Sequence, residues 1–349
     1  MHPTPPTGAR WRRRTFRVVV VGLASVSLVA TMVWLVLPDE QHAAALRSAP
    51  PTLGPSPAPP SPVAAPRPAL RGVSAGDSAA AVRKYEQWMA KVKPGFRVDG
   101  VLASVGDASW TDYERSAARS VSANLWGGID RPVFWSVPLI PRGASLTQAA
   151  GPTSAAEADS AYAGHWTKVA RTILSHRPQD STIIVCVSAG FGAKPTVSAE
   201  AFREFVRAFR AAPGAQRFRF AWNVTIGGHG INPEPAYPTG TDAAGRDYVD
   251  VISMDFAWSP RPKGPDPQDG KQAWSSMVDR RYGLAWHQRF AARMGKPTAF
   301  AEWGVKGQGK NTDVYMESAR QWFAAHNVVF ETYTYAGKPD DTYRRIFAA

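Results

Sequence analysis

The chain has 349 residues, of which 44% are hydrophobic and 11% aromatic, enough for a sizeable core in one large domain or two ordinary ones. Seven arginines against two acidic residues give residues 1–70 a formal charge of +5, which leaves +8 of the total +13 for the remainder. The basic residues of that remainder are scattered and are not interleaved with aromatic residues, which argues against a nucleic-acid partner. One cysteine, Cys186, excludes a disulfide within the chain and a cysteine-based metal site.

The N-terminal segment carries a long apolar run. Residues 18–37 are almost wholly apolar, and a run of about 20 such residues is long enough to cross a bilayer. Five arginines lie in residues 1–17, which predicts a cytoplasmic N-terminus and places everything after Pro38 outside the cytoplasm. A cleavable signal peptide is the alternative, because residues 43–45 are three alanines that could serve as its cleavage site, and the domain would then be secreted.

A spacer separates this segment from the rest of the chain. Residues 38–69 are rich in proline and alanine, a composition typical of a semi-rigid linker. We therefore expect a membrane signal-anchor, a linker and one extracytoplasmic domain over residues 70–349, which we expect to be monomeric.

From Leu70 onward, short apolar runs alternate with amphipathic helical patterns. The strands are predicted at about 70–74, 98–105, 132–140, 182–187, 217–222, 248–256, 298–301 and 328–335. Helices are predicted at about 82–89, 111–124, 160–175, 198–211, 284–294 and 314–325, and a long Gly/Pro-rich loop at 223–247. Such alternation predicts a parallel sheet, and eight repeats predict a closed (β/α)₈ TIM barrel, with an open doubly wound sheet as the alternative.

Polar and aromatic residues follow or end several of the predicted strands. They are Asp107, Trp110, Trp222, Asn223, Asp255, Trp258, Glu302, Trp303 and Tyr333. The carboxyl ends of barrel strands form the active-site face, so we expect these side chains to surround one mouth. Carboxylates and indoles together favour a carbohydrate ligand, because sugars offer apolar faces for stacking and hydroxyls for hydrogen bonds. No histidine spacing indicates a metal site, and no Gly-x-Gly-x-x-Gly follows the first strand, so no cofactor is expected.

Several motifs occur together in a fixed order. They are Gly72-Val-Ser-Ala-Gly76, Val105-Gly-Asp-Ala-Ser-Trp110, Trp135-Ser-Val-Pro-Leu-Ile-Pro141, Phe218-Arg-Phe-Ala-Trp-Asn223, Ala236-Tyr-Pro238, Asp247-Tyr-Val-Asp-Val-Ile-Ser-Met-Asp255, Tyr282-Gly-Leu-Ala-Trp-His287 and Gly295-Lys-Pro followed by Glu302-Trp-Gly304. On these motifs the chain resembles glycoside hydrolase family 26, the β-mannanase-like enzymes, over about residues 70–335. The resemblance implies a β-linked polysaccharide or oligosaccharide of the β-mannan type as substrate. It also implies a retaining mechanism with Glu302 as nucleophile.

The fourth strand departs from this family. The resemblance implies an acid/base glutamate there, in an Arg-x-x-x-Glu-x-Asn-Gly type of motif, but Val185, Ala189 and Phe191 occupy the three side-chain positions. Three interpretations stay open. The chain is an enzyme that recruits another group, with Asp107, His229 and Glu234 as candidates; or it is a pseudoenzyme that binds glycan without cleaving it; or its substrate chemistry differs altogether.

Overall fold

The structure, a computed structural model, describes residues 68–334 except 77, 123–124, 151–160, 179, 189–194, 261–263, 265 and 308. These residues belong to one compact unit, Pro62–Ala349. The predicted anchor, nearly all of the linker, and Ala189 and Phe191 lie outside the described residues. Within the described part of the chain, no helix is both long and apolar enough to cross a membrane.

Eight parallel strands close into a barrel in which neighbours along the chain are neighbours in space and the last strand pairs with the first. The strands are β1 (Leu70–Ser74), β2 (Gly100–Ser104), β3 (Val133–Pro138), β4 (Ile183–Ser188), β5 (Phe218–Thr225), β6 (Val251–Trp258), β7 (Thr298–Val305) and β8 (Val328–Thr334). This closed order confirms the predicted (β/α)₈ barrel and excludes the open sheet.

Three strands extend further than the sequence predicts. β5, β6 and β7 continue to Thr225, Trp258 and Val305, because apolar and β-branched residues keep pairing beyond the polar positions that suggested their ends. Asn223, Asp255 and Glu302 therefore lie inside strands and not at their last residues. Which side of the barrel wall each side chain occupies then depends on strand alternation.

The helices surround the barrel. They are α1 (Ala79–Met89), α2 (Trp110–Ser120), α3 (Leu146–Ala149), α4 (Ala163–His176), α5 (Pro195–Arg210), α6 (Gly270–Asp279), α7 (Leu284–Arg293) and α8 (Thr312–Ala325). α6 was not predicted from the sequence, because it follows a Gly/Pro-rich stretch and has glycine as its first residue. The Asp269 side chain caps α6 by accepting the amide hydrogens of Lys271 and Gln272, at 3.0 and 3.3 Å.

The predicted loop at 223–247 is shorter than expected. β5 takes its first residues, and two short 3₁₀ turns follow at Ile226–Gly230 and Glu234–Ala236. The segment then returns to β6 without an α-helix. Among the repeats whose segment after the strand is described, the fifth is the one without an α-helix.

Two apolar layers hold the barrel together. Outward-facing strand residues pack against the helices, as where Phe205 of α5 meets Phe220 of β5 with ring centroids 6.3 Å apart. Inside the barrel, Phe134 stacks on Phe330 at 4.5 Å. Gly100 makes room for this pair, since a Cβ there would lie 2.7 Å from the Phe134 ring. Each such side chain contributes about 1.5–3 kcal/mol by leaving water, and the inner pair closes the lower part of the barrel.

Candidate active site

Side chains from β5, β6 and β7 converge inside the barrel, near the carboxyl ends of its strands. Ala221 and Val251 belong to the apolar cluster that fills the lower interior. Successive strand side chains alternate between faces, so Asn223, two residues after Ala221, and Asp255, four residues after Val251, also point inward. They lie above the apolar floor, at the end of the barrel where active sites are built.

Glu302 joins these two residues. The carboxylates of Asp255 and Glu302 both act, after burial, to raise the pKa of the inward-facing Cys186 thiol. Glu302 and Asp255 are neighbours across the β6–β7 pair, where the Glu302 amide donates to the Asp255 carboxylate. The Glu302 carboxylate is hydrogen-bonded to none of the described residues, which leaves its oxygens available to a ligand.

A short chain of hydrogen bonds connects the three strands. Asn223 donates from Nδ2 to Oδ2 of Asp255 at 2.7 Å, and the backbone amide of Glu302 donates to Oδ1 of Asp255 at 3.0 Å. Asn223 is only 4% exposed, and its Oδ1 is buried without a hydrogen-bond partner among the described residues. Such an acceptor is costly to leave unpaired, so it marks a place where a hydroxyl or water donates.

The pKa values of both carboxyl groups are raised above their ordinary values. Burial raises the pKa of Asp255 to about 7; the hydrogen bonds from Asn223 and the Glu302 amide lower it, and the Glu302 charge raises it. Burial also raises the pKa of Glu302, with Lys306 acting in the opposite direction. Two adjacent carboxyl groups with raised pKa values are typical of sites that bind or transfer protons.

The opposite half of the mouth carries small hydroxyl groups that were not predicted from the sequence as site residues. The alternation that places Phe134 inside also points Ser136 inward, and Ser136 is paired across the sheet with Ser104. Ser188 of β4 is in register with Asn223 of β5. Counting alternate residues from the apolar floor would have found these positions. On this side of the barrel, the described inward positions near the mouth therefore carry small hydroxyl side chains.

Two of the predicted stacking tryptophans lie on the outer face of the wall. Trp222 is fully buried between Tyr237 and Phe290, with ring centroids 5.2 and 5.8 Å away. Trp258 is fully buried against Tyr315 of α8, at 5.1 Å. Both pack between strand and helix, so the structure does not bring them to the mouth.

Trp303 and Tyr333 are buried in the same outer layer. Their rings are 5.4 Å apart, and Trp303 also packs on Phe323 of α8 at 5.1 Å. The Trp303 indole donates from Nε1 to Glu331, a buried carboxyl group. These contacts make both rings part of the core between barrel and helices.

Trp110 is the first residue of α2, and the N-terminal ends of the helices of this fold lie near the mouth. Its ring is partly buried and stacks on His165 of α4, with centroids 4.4 Å apart and planes 8° from parallel. Tyr162 packs against it at 4.5 Å. Among the predicted aromatic residues, Trp110 is the one that keeps a partly exposed ring near the rim.

The candidate replacements for the acid/base group are dispersed. Asp107 pairs with Arg142 at 2.8 Å in the loops after β2 and β3. His229 is exposed in the 3₁₀ turn after β5. Glu234 is held at α7: although burial alone raises its pKa, hydrogen bonds from Trp286 and Arg293, each 2.7 Å long, give a net lowering.

Over the described residues, no group of three His, Cys, Asp or Glu side chains is arranged to hold a metal ion.

Together these features define a (β/α)₈ barrel with paired carboxyl groups in its mouth, and its fold is similar to that of solved mannanase structures. The YdhT protein from Bacillus subtilis has a TM-score of 0.52 and 11% identity over 77% of this chain and 80% of its own. The Bacillus subtilis mannanase man26 gives the same values. The Bacillus subtilis mannanase BCman has a TM-score of 0.51 and 10% identity, covering 80% of this chain and 83% of its own. No family model matches the sequence, and no curated protein is similar to it.

Proposed function

We propose that this barrel acts on a β-linked polysaccharide of the β-mannan type outside the cell, with Glu302 as the nucleophile of a retaining glycoside hydrolase. The observation that carries the proposal is the Glu302 carboxylate, which lies beside Asp255 in the barrel mouth and is hydrogen-bonded to none of the described residues. In a retaining reaction this oxygen attacks the anomeric carbon, the leaving-group oxygen departs, and water later releases the sugar. The fold shared with mannanases supports this choice of substrate.

The sugar is held by groups that lack internal partners. The buried Oδ1 of Asn223 accepts a sugar hydroxyl, which satisfies an otherwise unpaired acceptor. The serine hydroxyls on the inner faces of β2 to β4 contribute further hydrogen bonds. Trp110, which is partly buried at the start of α2, is the proposed contact for an apolar sugar face.

The proposed reaction has no well-suited proton donor among the candidate residues. Asp255 is poorly suited to the task, because both of its oxygens already accept hydrogen bonds. Glu234 and Asp107 are engaged by arginines, and the methyl group of Ala189 transfers no proton. Since a general acid contributes about 10²–10⁴-fold, we expect slow turnover of natural glycosides and faster reaction of substrates with good leaving groups.

A second function is favoured by the same substitution on strand four. With Ala189 at the acid/base position, the barrel would bind glycan in its mouth without cleaving it. The two functions share the fold and the binding groups, and they differ in whether Glu302 forms a covalent bond with the sugar.

An aryl β-mannoside with a good leaving group separates the two functions, because it needs no proton donor. Hydrolysis predicts a burst of released phenol that Glu302→Ala abolishes and that the surface variant Glu317→Ala leaves unchanged. Binding of manno-oligosaccharide without any burst supports the glycan-binding protein. Ala189→Glu is the complementary test: restored hydrolysis of unactivated substrate supports the assignment of strand four, and binding of neither ligand contradicts both functions.

We further propose that the chain is anchored in a membrane and that its barrel lies outside the cytoplasm. The apolar run at 18–37 and the preceding arginines support an uncleaved anchor with a cytoplasmic N-terminus, and the proline-rich spacer supports a barrel held away from the membrane.

A further inference from the structure

β7 contains one extra residue beside Glu302. Phe300 is in register with Glu331 of β8, but Trp303 is in register with Tyr333, so three steps along β7 match two along β8. The register with β6 shifts in the same region. Such an insertion is a β-bulge, which leaves local backbone groups out of the ladder and re-aims side chains.

The bulge changes which way the residues after it point. Phe300 and Trp303 both pack on Phe323 of α8, with ring centroids 5.1 Å away in each case. In a regular strand, residues three apart face opposite sides. The two residues between them, Ala301 and Glu302, therefore share the inner side, and Ala301 belongs to the interior apolar cluster.

Side chains of β6 accept the amide hydrogens of both bulge residues. The Ala301 amide donates to Oγ of Ser253 at 3.2 Å, and the Glu302 amide donates to Oδ1 of Asp255 at 3.0 Å. Ser253 is fully buried, and Asn223 fixes the orientation of Asp255 through its other oxygen. Buried amides need acceptors, and here two side chains supply them where the bulge disrupts the ladder.

We propose that Ser253 and Asp255 are positioning residues that hold the β7 bulge and thereby turn the Glu302 side chain into the mouth. This role concerns the direction of Glu302 whatever molecule the barrel binds. Only its consequence for turnover rests on the proposed function.

Amide hydrogen exchange tests the proposal without any substrate. Ser253→Ala should speed exchange of the Ala301 amide, and Asp255→Leu that of the Glu302 amide, each by about tenfold, as expected for one lost hydrogen bond. The rest of β7 should keep its protection. Asp255→Asn should restore slow exchange at Glu302, because its amide oxygen accepts the same hydrogen while its nitrogen faces a rotated Asn223.

Asp250 provides the matched control. It also accepts a backbone amide from a neighbouring strand, that of Phe220 at 2.8 Å, but lies before β6 at the other end of the barrel. Asp250→Leu should leave exchange at Ala301 and Glu302 unchanged. Uniformly faster exchange along β7 in the Ser253 or Asp255 variants would mean a merely structural role and would overturn the proposal. If Asp255→Leu does not fold, the Ala301 amide in Ser253→Ala decides the matter.

Release of phenol from the aryl mannoside is a separate measurement. If wild-type protein releases phenol from the aryl mannoside, Ser253→Ala should lower the burst rate more than it changes substrate affinity. If wild-type protein gives no burst, the hydrolase proposal fails. The hydrogen-exchange measurement still tests the positioning role, because it does not depend on activity.

Discussion

Asn223 donates a hydrogen bond that favours the charged form of Asp255. Its Nδ2 donor lies 2.7 Å from Asp255, so Asn223→Asp replaces a donor with a second carboxylate. Two like charges at this separation cannot both ionise without a large cost. We expect the free energy of unfolding to fall by about 3 kcal/mol at pH 8 and by less at pH 5, where one proton bridges the two groups.

Urea unfolding at the two pH values measures this difference. Asn223→Ala serves as the control: it removes the donor that favours ionised Asp255, so its loss should also be larger at pH 8 than at pH 5, but the difference should be smaller than for Asn223→Asp because no charge is added. An equal loss for Asn223→Asp at both pH values would contradict the arrangement.

Glu331 is a second buried carboxyl group whose ionisation affects stability. Burial raises its pKa to about 7; the Trp303 hydrogen bond and Arg71 lower it, and Asp99 raises it. A folded-state pKa above the unfolded value of about 4.3 means that the folded protein binds the proton more tightly, so stability falls as pH rises from about 4 to 7. Glu331→Gln should match wild type near pH 5 and exceed it by about 2–3 kcal/mol at pH 8, at about 1.4 kcal/mol per pH unit.

Chemical unfolding across this pH range measures both the sign and the size of the stability difference between Glu331→Gln and wild type. Glu317→Gln is a suitable control because Arg320 lowers the pKa of that surface carboxyl group. A variant Glu331→Gln less stable than wild type at pH 8 would show that the ionised form is the favoured one.

The polar residues of the mouth were easier to predict than the side of the barrel wall on which each neighbouring side chain lies. Asn223, Asp255 and Glu302 stand out in the sequence as polar positions within apolar strands, and they meet in the structure. Trp222 and Trp303 are their immediate neighbours in the chain, and for that reason they face the other side of the wall. Composition indicated a carbohydrate-stacking role for these indoles, whereas alternation makes them core.

At the level of single elements, β2 has a close packing constraint at Gly100. A Cβ at this position would lie 2.7 Å from the Phe134 ring inside the barrel. We expect Gly100→Ala to lower the free energy of unfolding by about 1–3 kcal/mol, the usual cost of overpacking. Phe134→Leu in the same chain should recover part of this loss by freeing space.

Gly304→Ala is the matched control in β7, since its Cβ would meet the nearest atom, on Tyr333, at 3.5 Å, an ordinary contact. Thermal or urea unfolding of the two alanine variants compares them directly. Equal losses would mean that glycine is required for a reason other than the Phe134 ring.

The strands and helices differed in how well the sequence predicted them. The eight strands were predicted because each is an apolar run bounded by turn residues. The bulge in β7 could not be predicted, because it is a mismatch of register with β6 and β8 and has no mark of its own in the run Thr298 to Val305. α6 was missed because Asp269 is followed by glycine, although Ala273 and Met277 have the spacing of a buried helical face.

For the whole molecule, alternation of strands and helices was sufficient to predict the closed barrel, since few other topologies satisfy eight parallel repeats. The position of the site at one end of the barrel followed from the same rule. Proton donation could not be settled in this way, because it depends on which groups come within reach of Glu302 in space.

Charge and hydropathy predict how the whole chain is placed relative to the membrane. Residues 18–37 are apolar, the arginines precede them, and residues 1–70 carry +5 of the total charge. We expect the full chain to sediment with membranes and to resist extraction by alkaline carbonate, which removes peripheral proteins but not spanning helices. A variant lacking residues 1–37 and given a cleavable signal peptide should instead appear in the soluble exported fraction.

Sidedness gives the second readout. Protease added to cells whose outer layers have been opened should digest the barrel while sparing an epitope placed before Arg10, as the arginine bias requires. A mature chain that begins just after residues 43–45 would identify the apolar run as a signal peptide and the barrel as a secreted protein. Protection of the barrel with digestion of the N-terminal epitope would contradict the orientation itself, and an extracellular polysaccharide could then not be the ligand.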